Sequence, residues 1–151
     1  MCEKLKCIDD LLEDAWDFRC PRYRVSIFVR IKIYDDLVDF LGGKGINPQY
    51  TLGDINYRLD KMINIATIVY NNKYRDDAYR IEEKDKQPKV VAMKFMDKRR
   101  NDRLYCREID YGKGKDVIIC EIHMGKKSES LTKKEKNIIK RTRSYEFEIL
   151  T

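Results

Sequence analysis

The stretch from Lys89 to Lys127 contains three apolar runs with strand alternation. They are Lys89-Val-Val-Ala-Met-Lys-Phe95, Arg103-Leu-Tyr-Cys-Arg-Glu-Ile109 and Asp116-Val-Ile-Ile-Cys-Glu-Ile-His123, the last running on into Met-Gly-Lys126-Lys127. β-Branched and aromatic residues fill the runs, and a charged turn and a Gly-containing turn separate them. That pattern predicts an antiparallel meander. Side chains alternate between the two faces of a strand, so Lys94 and the residues at 103, 105 and 107 can each line one side of the sheet.

Upstream, Arg24 to Tyr34 alternates with Val25, Ile27, Val29, Ile31 and Ile33 on one face, which predicts a half-buried strand. Asp35 to Leu41 reads as a short helix stopping at Gly42-Gly43. From Thr51 to about Asn72, apolar residues recur at spacings of three and four, predicting a long amphipathic helix. A short strand is expected near Tyr79 to Glu82. At the N-terminus, Leu5, Ile8, Leu11, Leu12 and Ala15 lie at helical spacing before Pro21, predicting a helix over residues 3–18. Downstream, Thr132-Lys-Lys-Glu135 is a capping box, which predicts a final helix from about Lys133 to Tyr145. The simplest solution is one α+β domain over residues 1–151, a small antiparallel sheet with helices on one face. Residues 1–22 form a helical extension, 24–127 the core and 132–146 a C-terminal helix.

The 151 residues carry a net charge of +6. Residues 1–83 hold 13 Lys and Arg against 15 Asp and Glu, a net of −2, whereas residues 84–151 hold 19 against 11, a net of +8. The whole positive excess therefore sits in the half that contains the meander, and it points to an anionic partner. A merely soluble basic surface would give the same count. The five cysteines, at 2, 7, 20, 106 and 120, form no Cys-x-x-Cys pair. With no signal-peptide core and no apolar run of membrane length, a reducing cytoplasm and no membrane are expected.

RNA cleavage without a metal needs a base for the 2′-hydroxyl, cations for the scissile phosphate and an acid for the leaving 5′-oxygen. Lys94, Arg103, His123 and Lys127 are the candidates for these tasks. Arg99, Arg100, Tyr105, Arg107 and Lys126 are candidates for holding RNA, Tyr105 by stacking or by bonding a phosphate. Solvated turn and strand-edge cations, and aromatic packing for Tyr105, are the structural alternatives. His123 is the single histidine. No nucleotide-cradling Gly loop, Gly-x-Ser-x-Gly elbow or paired-histidine motif is present, so no metal or cofactor is expected.

On the strands Val90–Phe95, Asp102–Tyr105 and Asp116–Lys127, and on the Lys-Lys-Glu-Lys-Asn-Ile-Ile pattern of residues 133–139, the chain resembles the RelE/HigB-like toxins of the RelE/ParE toxin–antitoxin superfamily. The resemblance implies a RelE-like fold and a metal-independent endoribonuclease that cuts mRNA, often on the ribosome, and is silenced by a cognate antitoxin. It assigns Lys94 as base or phosphate ligand, Arg103 as phosphate ligand, and Lys127 with Lys126 to the leaving group. The chain departs from the family in its extra length and in having no tyrosine soon after Lys127. Two other readings stay open: a ParE-like toxin acting on a topoisomerase, and a non-catalytic nucleic-acid-binding protein of the same fold.

Overall fold

A computed structural model describes residues 2–9, 24–41, 52–71, 73–75, 77–96, 101–125 and 132–148. The protein is mixed α+β. Its elements are β1 (Cys2–Glu3), β2 (Leu5–Cys7), β3 (Arg24–Arg30), α1 (Tyr34–Phe40), α2 (Leu52–Asn71), β4 (Tyr79–Glu82), β5 (Val90–Met96), β6 (Asn101–Asp110), β7 (Gly114–His123), α3 (Lys133–Ser144) and β8 (Glu146–Phe147). Six strands form one sheet in the order β2-β3-β7-β6-β5-β4, while β1 and β8 pair separately. All neighbours in the large sheet run antiparallel except β3 and β7, which are parallel.

The three-run meander forms as its alternation requires, and β4 extends it where the short strand is expected. β3 is shorter than its apolar pattern. Its ladder with β7 ends at Val29↔Ile119, and the next residue of β7, Cys120, lies in an irregularity of the β6–β7 pairing. Past the end of the β7 ladder the chain turns into a 3-10 segment, Ile31–Ile33, and leaves Ile31 half exposed.

Residues 2–7 correct the expected N-terminal helix, because they form strands: β2 pairs with β3 through Leu5↔Arg30 and Cys7↔Phe28. The sheet edge offers these residues hydrogen-bond partners, and such tertiary pairing overrides a local helical period. The rest of that expected helix, residues 10–18, lies outside the described residues.

The expectation of helices on one face is also corrected, since the sheet carries helices on both. On one face Leu37 and Phe40 of α1, with Met62, Ile65, Ala66 and Val69 of α2, pack on Val25, Ile27, Val29, Val91, Met93, Phe95, Leu104, Cys106, Val117 and Ile119. On the other, Ile138 and Ile139 of α3 cover Val90, Ala92 and Tyr105. The parity of each strand makes this division: Val91 and Met93 enter one core, Val90 and Ala92 the other. α3 begins at the predicted cap, where Thr132 Oγ1 accepts from the Glu135 N–H at 3.2 Å and Glu135 Oε1 accepts back from the Thr132 N–H at 3.4 Å.

Candidate functional site

The register of the meander sets Lys94 opposite Arg103 and Arg103 opposite His123. Lysine, arginine and histidine therefore stand in one row across β5, β6 and β7, with directly opposed Cβ atoms roughly 5 Å apart. Their parity is that of Ala92 and Tyr105, so the row lies on the α3 side of the sheet. It sits beyond the first turn of α3, because Glu135 of that turn meets Tyr105, two residues along β6 from Arg103.

The row is not a fringe of solvated side chains. Lys94 is 5% exposed and Arg103 is 2% exposed, while His123 is half-buried. The Nε and Nη1 of Arg103 are buried and have no hydrogen-bond partner among the described residues. Leaving such a donor unsatisfied costs about 1–3 kcal/mol, more when the group is charged. Phosphodiester oxygens are suitable acceptors for such donors, although Nε and Nη1 face different edges of the planar guanidinium and each takes its own acceptor. Asn101, of the same parity on β6, adds a buried Oδ1 that also has no partner among the described residues. Sequence reading missed Asn101, for nothing in its neighbours distinguishes it from a turn asparagine.

Two residues expected to hold RNA bond within the fold instead. Tyr105 is 1% exposed and its hydroxyl donates to Glu135 Oε2 at 3.2 Å. Burial first, then the Glu135 and Glu82 carboxylates, push its phenol well above the usual tyrosine range. Its ring packs under α3, so it offers no face to a base. Arg107 donates from Nη1 to three carbonyls at the end of α3: Thr142 at 3.3 Å, Arg143 at 3.1 Å and Tyr145 at 2.9 Å. A helix leaves its last carbonyls unpaired, and a cation there satisfies them and complements the dipole. Arg107 thus closes the helix, although its Nε is without a partner. Arg99, Arg100, Lys126 and Lys127 lie outside the described residues.

Cys106 and Cys120 are buried inside strands, as small apolar side chains are. Burial pushes the Cys120 thiol up to about 12 and the Cys106 thiol well above its ordinary value. Among the described residues no group of three His, Cys, Asp or Glu could hold a metal ion, and no helix is long and apolar enough to cross a membrane. A cavity of about 550 Å³ lies elsewhere on the α3 side, between Leu5, Phe28, Ile109, Ile118 and Phe147, and the row takes no part in it.

Comparison of the chain with family models, curated proteins and solved structures found no match in any of the three.

Proposed function

We propose that the chain is a metal-independent endoribonuclease that cuts mRNA, a toxin of the RelE/HigB kind held in check by a cognate antitoxin. The observation that carries this reading is Arg103, buried between Lys94 and His123 with Nε and Nη1 unpartnered among the described residues. A multi-oxygen anion is the chemistry that completes such a group. The positive excess of residues 84–151 supports a polyanion over a single small acid. The order strand, short helix, long helix and meander from Arg24 to His123 is also the one the resemblance implies.

In this reading Arg103 grips the non-bridging oxygens of the scissile phosphate. Lys94 or His123 takes the 2′-hydroxyl proton, and the 2′-oxygen attacks phosphorus to close a cyclic phosphate. The 5′-oxygen then leaves, protonated by the other of the pair or by Lys127. Charge builds on the phosphate oxygens in the transition state, where a preplaced guanidinium in a dry setting acts most strongly.

Inducible expression of wild type beside Arg103→Ala and Lys127→Ala tests the proposal. Wild type should arrest growth and fragment mRNA, and both variants should permit growth with intact transcripts. Equal growth of all three strains, with transcripts intact, would leave no case for a toxin.

A further inference from the structure

Next to Arg103 on β6, but turned to the opposite face of the sheet, stands Asp102, 1% exposed. Its Oδ2 accepts from Arg58 Nη2 of α2 at 3.2 Å. Its Oδ1 accepts from the Gly125 N–H at 2.8 Å. Arg58 is itself 2% exposed and donates from Nη1 to the Phe40 carbonyl of α1 at 2.6 Å, with its guanidinium 4.2 Å from the centre of the Phe40 ring. Phe40 in turn meets Phe95 edge to face at 5.1 Å. One carboxylate thereby joins both helices of one layer to the point where β7 ends, two residues after His123.

A hydrophobic contact would hold these elements together with less desolvation, since a buried ion pair brings little net stability over apolar side chains of the same size. What the carboxylate adds is direction. Its two oxygens are used for different ends, one fixed by Arg58 and the other fixing a backbone N–H. Gly125 sits at φ +68, a left-handed turn that ends the strand abruptly. Anchoring that turn fixes where β7 stops beside β6, and so where the His123 imidazole stands relative to Arg103.

We infer that Asp102 is a positioning residue for the cationic row: held by Arg58, it pins Gly125 and thereby sets His123 against Arg103. The inference rests on the endoribonuclease reading for its effect on rate, but not for its effect on the placement of His123.

Two full-length double variants isolate the Gly125 contact. Arg58→Met with Asp102→Asn removes both charges and keeps an amide oxygen for the Gly125 N–H. Arg58→Met with Asp102→Leu removes the charges and that acceptor as well. Both lack the ion pair and the bond to Phe40, so their loss of stability from those changes is shared, and urea midpoints confirm that each is folded under assay. His123 is the single histidine, so its imidazole protons give an uncrowded NMR signature. We expect the Asn variant to keep the wild-type His123 chemical shifts and rate of RNA cleavage. The Leu variant should move those shifts and lower kcat by about 100-fold with little change in KM, as misplacement of a reacting group does. Identical His123 shifts in the two variants would overturn the inference. If wild type cuts no RNA, the reading of the reaction fails, and the His123 shifts still decide the positioning role.

Discussion

Arg103 and Arg107 stand four residues apart on one strand, on the same face of the sheet, and meet opposite surroundings. Arg107 reaches the end of α3, where the two N–H groups of its Nη1 are shared among three carbonyls. Arg103 lies beyond the other end of the same helix, more deeply buried, with two nitrogens that find no acceptor among the described residues. Between them Tyr105 is bonded to Glu135, the first-turn residue of the helix. One strand face is thus divided by the reach of α3. Where the helix covers it, polar side chains bond to the helix, with the Arg107 Nε left over. Where the helix stops, a buried cation is left with unmet bonding capacity. Sites that bind ligands tend to carry such local costs, which the rest of the fold offsets.

Substitutions at these positions sharpen or break the contrast. Arg103→Met should have the largest effect, lowering RNA cleavage by about 100-fold or more, the scale seen when one preplaced donor to a developing anion is removed. Its urea midpoint should stay in place or rise, because a buried cation is exchanged for an apolar side chain of similar length. A fall in stability with cleavage intact would reverse the roles assigned here.

Arg107→Met should do the opposite. Charge-assisted hydrogen bonds contribute about 1.5–3 kcal/mol each, and the freed carbonyls lie near solvent, so a loss of about 2 kcal/mol is expected in chemical denaturation. Cleavage per folded molecule should remain at the wild-type level. Tyr105→Phe removes one hydroxyl bond to Glu135, and about 1 kcal/mol is expected from the same measurement, again without loss of cleavage.

The smallest effect near neutral pH is electrostatic, and the packed side contributes to it. Burial pushes the Cys120 thiol up to about 12, and burial with the bond to Glu121 pushes the Tyr145 phenol up to about 12. Each acid holds its proton more tightly folded than unfolded. Its contribution is therefore complete below the unfolded value, 9.0 for the thiol and 10.0 for the phenol, and is lost as pH rises toward 12. The urea midpoint should be flat from pH 7 to 8.5 and fall above pH 9, and Cys120→Ala should make the first part of that fall shallower. A midpoint that rises above pH 9 would contradict the burial described for this side.

The meander could be read from alternation alone, and parity grouped Arg103, Tyr105 and Arg107 on one face of their strand, whereas Lys94 joins them only through the register of β5 against β6. Separating Arg103 from Arg107 could not be done that way. It depends on where residues 142–145 come to lie, and no local pattern at 103–107 contains that information. Arg58 was hidden for the same reason. It falls in the buried stripe of α2, where a charged residue weakens an apolar pattern, and its partner Asp102 is 44 residues away. The N-terminus misled because Leu5 and Ile8 fit a helical period, while the sheet edge beside β3 supplied better partners. The capping box at Thr132 was legible since all its atoms lie within four residues.

The most direct test of the cationic row is the salt dependence of binding to a single-stranded oligoribonucleotide whose 2′-hydroxyls are methylated to block cleavage. The slope of log affinity against log salt counts the phosphates neutralised, about 0.7 for each contact on a single strand. Arg103→Met should weaken binding and reduce the slope by about that amount, while Arg107→Met leaves both unchanged. Equal slopes for wild type and Arg103→Met, or a matching loss in Arg107→Met, would contradict a phosphate site at Arg103.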